Sequence, residues 1–173
     1  MKKLTFLPLL LLISVLLPSC LKSELDDYDK WREKNEAYIR NVDKAEYKPY
    51  SPVWAPASTV YIKWHNDTSL TKKNLQPLST STVRLKYEME NIDGTYLGDS
   101  YAASDSVYEC KPSDNIVGFW STVTAMHVGD SVTVIIPYES AYGSRITGSI
   151  WPYSNLIYRI KLVSIPAYER PNS

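Results

Sequence analysis

The chain has 173 residues, with 19 basic and 19 acidic side chains and only two cysteines. That length suits one packed domain plus an extension. The charge balance leaves no basic excess to hold a nucleic-acid backbone.

The first twenty residues read MKKLTFLPLLLLISVLLPSC. Lys2 and Lys3 form a basic start, and the stretch from Leu4 to Leu17 is nearly all apolar. It is shorter than the ~18 or more apolar residues of a membrane-spanning helix. The pattern predicts an export signal over residues 1–19, outside the fold proper. Leu17-Pro18-Ser19-Cys20 resembles the lipobox of bacterial lipoproteins. That resemblance implies cleavage before Cys20, lipid on its sulfur, and a place in the bacterial cell envelope. The outer membrane is the expected site, with the protein facing the periplasm or the exterior. Acyl chains contribute about 0.8 kcal/mol per buried methylene, so several of them hold a protein on a bilayer. Without Lys2 and Lys3, seventeen basic residues face nineteen acidic ones. Lipid on Cys20 would leave Cys110 as the only thiol, with no internal disulfide, so stability has to come from packing. Cys110 falls in an apolar strand pattern and reads as a buried, inert thiol.

Residues 20–58 read as an N-terminal extension. Leu21 to about Asp27 is polar and acidic, a flexible tether. ELDDYDKWREKNEAYIRNVDKA, residues 24–45, contains no Pro or Gly, and Tyr28, Trp31, Tyr38, Ile39 and Val42 fall near one helical face. This extra helix is expected to dock its aromatic stripe on the domain. Pro49, Pro52 and Pro56 then predict an extended linker.

The domain is expected over residues 59–173. TVYIKWH, from Thr59, and TVRLKYEME, from Thr82, alternate apolar and polar residues at the period of half-buried antiparallel strands. Residues 66–81 read as a polar loop. Asp93-Gly94 marks a turn. Residues 107–110 form a short strand, and residues 116–126 (IVGFWSTVTAM) a short helix. Residues 131–136 and 156–165 are strands rich in β-branched side chains. The fold class is therefore α+β: an antiparallel sheet of about five strands with one short late helix on its apolar face. A helix that short cannot bury the sheet alone, which leaves a concave apolar site between the two.

Four motifs in order carry a resemblance to a known family. They are VRLKYEMENIDGTYL from Val83, NIVGFWSTVTAMHVGD from Asn115, IIPYESAYGS from Ile135 and IWPYSNLIYRIKLV from Ile150. The chain from about Thr59 to Val163 resembles the FKBP-type peptidyl-prolyl cis-trans isomerases. The resemblance implies an FKBP-like domain acting as a folding helper on proline-containing polypeptides, with no cofactor and no metal. It implies catalytic roles for Tyr142, the Ala-Tyr-Gly tyrosine that donates to the bound carbonyl, and for Asp99. It implies substrate-binding roles for Tyr87, Leu97, Ile116, Phe119, Ile150 and Tyr158. The pattern also has departures. Phe119 stands where the family usually has Trp, Leu97 where it has Phe, and Gly98 where it has Asp, with Asp99 one residue late. Trp151 replaces a Pro, and the loop from Tyr142 to Ile150 is slightly shorter. These departures favour an alternative, an FKBP-like lipoprotein that binds peptide or protein partners without turnover. His65 and His127 stand well apart, with no second ligand at metal-binding spacing, and read as surface histidines.

Overall fold

The computed structural model describes residues 18–101 and 105–169, with side chains from residue 25 onward. Residues 1–17 of the expected export signal, and the Cys20 side chain with its expected lipid, lie outside the described residues.

Helix α1 runs Pro18–Arg40, followed by strands β1 (Lys48–Tyr50) and β2 (Val60–Trp64), a single helical turn α2 (Thr68–Thr71), and strands β3 (Thr82–Asn91), β4 (Tyr96–Asp99) and β5 (Tyr108–Cys110). Helix α3 (Val117–Ala125) and strands β6 (Ser131–Ile136) and β7 (Leu156–Ala167) complete the chain. The sheet is antiparallel, in the order β1-β2-β6-β7-β3-β4, with β5 also on β3. It has seven strands where the sequence suggests about five. The two additional strands, β1 and β4, are edge strands of three and four residues. Pro49 is tolerated in β1 because an edge strand has one unpaired side.

Strand position explains the residue patterns. β6 lies between β2 and β7, and residues 132–136 are all buried. β7 alternates: Leu156, Tyr158, Ile160 and Leu162 are buried while Arg159, Lys161 and Val163 face water. β3 turns Val83, Leu85 and Met89 inward. α3 closes this face with Phe119, Val123 and Met126. Its backbone comes so close to β6 that a Cβ on Gly118 would lie 2.2 Å from Ile136 Cγ2. Its hydroxyls bond inside the helix: Ser121 to the Val117 carbonyl and Thr122 to the Gly118 carbonyl, both at 2.7 Å.

α1 differs from the expectation at both ends. Residues 21–27, read as a tether, are helical, since LKSELDD contains no helix breaker. The helix stops at Arg40 because Asp43 captures the backbone instead: its carboxylate accepts from the Ala45 N–H at 2.8 Å and its carbonyl from the Tyr47 N–H at 2.8 Å. Docking occurs as the stripe suggests, but its centre is polar. Asn35 and Asn155 are both 0% exposed. The Asn155 N–H donates to Asn35 Oδ1 at 2.8 Å, and Asn155 Nδ2 donates to the Asn35 carbonyl at 2.7 Å. Asn35 Nδ2 donates to the Trp31 carbonyl at 2.8 Å. Asn155 Oδ1 accepts from the Tyr138 N–H at 2.9 Å. Asn35→Ala leaves the buried Asn155 N–H without its acceptor, so it should lower unfolding stability by about 1–3 kcal/mol, read in a urea titration of the full chain.

Candidate active site

The concave face is open beside α3. Tyr87 and Met89 of β3, Tyr108 of β5, Tyr158 of β7, Ile116 and Phe119 at the start of α3, and Tyr142 in the loop after β6 line a hollow of about 310 Å³. Alternation sends Tyr87 and Met89 to the same face of β3 as Leu85. Tyr158 opposes Met89 across the ladder. The rings form a connected box. Phe119 and Tyr158 meet edge-to-face at 5.6 Å between centroids, Tyr87 and Tyr158 lie at 5.8 Å, and Tyr87 and Phe119 at 6.4 Å. Tyr108 closes on Tyr87 at 5.6 Å. Phe119 and Tyr158 are nearly fully buried.

The Tyr142 loop owes its shape to backbone bonds. Pro137 ends β6, and a tight turn follows over Tyr138–Ser140. The Gly143 N–H donates to the Tyr138 carbonyl at 2.9 Å, and the Tyr153 N–H donates to the Gly143 carbonyl at 2.8 Å. Gly143 sits at φ +64°, a left-handed conformation that favours glycine, which accounts for the Ala-Tyr-Gly pattern. Ser140 Oγ and Ser58 Oγ lie 2.7 Å apart, tying the loop to the proline-rich segment.

Five of the residues expected at the site come together in the hollow: Tyr87, Ile116, Phe119, Tyr142 and Tyr158. Leu97 and Ile150 instead line a neighbouring cleft, and Ile150 also belongs to the core. Asp99 is not among the lining residues; Oδ2 accepts from the Tyr96 hydroxyl at 2.8 Å and Oδ1 from the Tyr101 N–H at 2.7 Å. The cause is local. The β3–β4 register shifts between Met89 and Glu90, leaving Leu97 as a bulge, and Gly98 takes φ +157°. Side chains avoid that conformation, so the carboxylate falls on the next residue. Tyr108, Met89, Asp114 and Asn115 line the hollow and were missed from sequence. For Tyr108 the available signal was its place in a short strand; its inward aim depends on pairing with Leu85, which only the register reveals. Trp120 lies elsewhere, stacked on Trp54 at 3.9 Å. His65 Nε2 bonds Thr133 Oγ1 at 2.8 Å, and the His127 N–H donates to the buried Asp130 carboxylate at 2.7 Å.

Burial governs the electrostatics. It pushes the Tyr158 phenol far above its ordinary range. It also raises Tyr87, with Asp99 adding to the effect, and Tyr108, with Cys110 adding. At neutral pH the Tyr87, Tyr108 and Tyr158 phenols therefore keep their protons, and Asp114 is the one acidic side chain among the described residues on the wall of the hollow. Among the described residues no group of three His, Cys, Asp or Glu side chains is placed to hold a metal. The arrangement can accept an apolar ring and offer a phenolic donor to a carbonyl.

Next to the box, burial pushes the Cys110 thiol up to about 11 from 9.0. Between those pH values the unfolded chain loses the proton and the folded chain keeps it. The unfolded state then binds fewer protons, so stability falls as pH rises through that window. Iodoacetamide at pH 8 should therefore leave Cys110 unmodified in the native chain and label it readily in urea, as peptide mass spectrometry would record.

Residues 73–163 match the family described as FKBP-type peptidyl-prolyl cis-trans isomerase. The chain is 37% identical over 90 residues, 51% of its length, to the FKBP-type 22 kDa peptidyl-prolyl cis-trans isomerase of Escherichia coli strain K12, covering 43% of that protein. It is 32% identical over 91 residues, 52% of its length, to the outer membrane protein MIP of Legionella longbeachae, covering 39% of that protein. The chain thus spans less than half the length of either relative. Among solved structures, FkpA from Escherichia coli superposes with a TM-score of 0.73 at 19% identity, over 97% of this chain and 76% of that one. A peptidyl-prolyl cis-trans isomerase from Pseudomonas syringae gives 0.61 at 18% identity, over 81% of this chain and 94% of that one. A three-domain FKBP from wheat gives 0.53 at 26% identity, over 61% of this chain and 45% of that one.

Proposed function

The chain belongs to the FKBP-type peptidyl-prolyl cis-trans isomerase family, and from that membership we propose that it catalyses rotation about X-Pro bonds in exported polypeptides. The observation that carries this reading is the open box of rings from Tyr87, Phe119 and Tyr158, with Tyr142 at its wall.

Rotation changes no covalent bond. The barrier of about 18–20 kcal/mol comes from C–N resonance, and an unaided X-Pro bond takes tens to hundreds of seconds to turn. A twisted amide has lost that resonance and carries a less polar carbonyl. Water solvates the planar amide well, whereas an apolar box favours the twisted one, and that difference is the catalysis. In our assignment the proline ring rests on Phe119 and Tyr158, Ile116 and Tyr87 close its sides, and the Tyr142 hydroxyl donates to the substrate carbonyl. Asp99 is a positioning residue: its bonds to Tyr96 and Tyr101 fix the end of β4, and its charge is felt at Tyr87. Leu97 and Ile150 support the site from outside the box.

We further infer that residues 1–19 export the chain, that lipid on Cys20 holds it in the bacterial envelope, and that residues 20–58 anchor and brace the domain over 59–173. The basic start, the apolar run and the lipobox-like ending support this. A second reading, peptide binding without turnover, is favoured by the displacement of Asp99 from the hollow.

An isomerisation assay on a short X-Pro peptide separates the two. The native chain should exceed the uncatalysed rate. Tyr142→Phe should lose roughly 5- to 150-fold in kcat/KM, the ~1–3 kcal/mol of one buried hydrogen bond. Tight peptide binding at the uncatalysed rate would select the second reading. For the anchor, Cys20→Ser expressed in a bacterial host should lose the acyl mass and move from the membrane to the soluble fraction, as intact-mass measurement and fractionation would report.

A further inference from the structure

A second cleft, of about 380 Å³, opens beyond the hollow, where α1 meets the β3–β4 hairpin and the loop before β7. Trp31, Tyr96, Leu97, Ile150 and Trp151 form its apolar walls, with Asn91 at one end. We propose that it is a subsite for a large apolar or aromatic side chain two or three residues from the proline in the same bound polypeptide. The proposal rests on the isomerase reading of the hollow and extends it to substrate choice.

Continuity along two segments ties the cleft to the hollow. Tyr87 and Met89 of β3 line the hollow, and Asn91, the next residue on that face, lines the cleft. In the loop, Tyr142 borders the first space and Ser149, Ile150 and Trp151 border the second. Two residues of strand advance about 6–7 Å, and an extended ligand covers the same step with two residues. A chain with its proline in the hollow therefore reaches the cleft with a nearby side chain.

The walls define the chemistry of that side chain. Several of their polar groups already have partners. Asn91 Oδ1 accepts from the N–H groups of Asp93 and Thr95, each at 2.9 Å. Trp31 Nε1 donates to Ser154 Oγ at 3.0 Å, and the Asp93 carboxylate is paired with Lys34. Beside the small hydroxyls of Thr95 and Ser149 and the Asn91 amide, what remains is ring surface. Trp151 is 48% exposed and Tyr96 58% exposed. Such a site rewards a ligand that removes rings from water, and offers little to a sugar hydroxyl or an anion. It is also held in advance. Trp151 stands edge-on to Tyr28 at 5.3 Å and to Trp31 at 6.2 Å. The Asn35–Asn155 bonds fix α1 against the loop, so little ordering is left for the ligand to drive.

The test uses the full chain and two proline peptides of equal length, one with Phe and one with Ala at the residue two or three positions from the proline. A short X-Pro peptide that fills the hollow alone serves as control. Affinity is read by calorimetry and turnover by the isomerisation assay. The native chain should favour the Phe peptide by about tenfold or more in both. Trp151→Ala, which empties one wall, and Ser149→Trp, which fills the cleft from an exposed position, should bring that ratio to about twofold or less while leaving the short peptide unchanged. A ratio near one in the native chain, or an undiminished ratio in both variants, overturns the subsite. If no peptide is turned over but the Phe preference in affinity is lost in the variants, the isomerase reading falls and the subsite stands. A native dimer that Trp151→Ala converts to a monomer in sedimentation would assign the cleft to a second copy of the chain and also overturn the proposal.

Discussion

A mismatch of lengths shapes the molecule. α3 has nine residues and is about 13–14 Å long, whereas β3 and β7 have ten and twelve residues and extend about 33 and 40 Å. One short helix cannot cover the concave face of so long a sheet. It packs on β2 and β6, with the Gly118 backbone against Ile136, and toward the far ends of β3 and β7 the apolar face lies beyond it. Bare aliphatic surface there would draw aggregation or collapse. The chain places rings there instead, and a phenol can keep its edge apolar and its hydroxyl wet. The hollow is thus the remainder of an incomplete layer, not a cavity cut into a complete one.

The same shortfall gives α1 its task. Beyond the reach of α3, the aromatic stripe of α1 closes the rim through Trp31 and Tyr28. The apolar stripe alone would let the helix slide along its axis. The Asn35–Asn155 pair removes that freedom, because both residues are fully buried and each bond has one geometry. Asn155 also accepts from the Tyr138 N–H, at the base of the loop that carries Tyr142. The placement of α1 and the shape of the tyrosine loop are therefore parts of one hydrogen-bonded unit, although 120 residues separate its two asparagines.

Strands with a buried face and a wet one were legible in the sequence, as β2 and β3 show, because alternation records which side meets water. α3 was legible from its apolar run, and β6 and β7 from their β-branched ones. β1 and β4 were not, since three or four residues at an edge carry too little pattern and Pro49 argues against a strand. Of the site, Tyr87, Ile116, Phe119, Tyr142 and Tyr158 were legible because their motifs sit on regular elements or on a glycine-dependent turn. Leu97, Asp99 and Ile150 were placed less well. A bulge displaces the first two, and the third turns inward at the end of an irregular loop. Asn35 was hidden by its polarity. It occupies the middle of the Tyr28–Trp31–Tyr38–Val42 face, where an apolar stripe is expected to hold no amide.

The early start of α1 has a mechanical consequence. Helical backbone is continuous from Pro18, so no slack separates Cys20 from the Asn35 clasp. Fifteen residues of helix measure about 22 Å. With acyl chains on Cys20, α1 would act as a stiff mast and not a leash. The FKBP-type domain would then stand at a set height over the lipid and meet chains passing close to that surface, instead of sweeping the volume a loose linker of equal residue count would open.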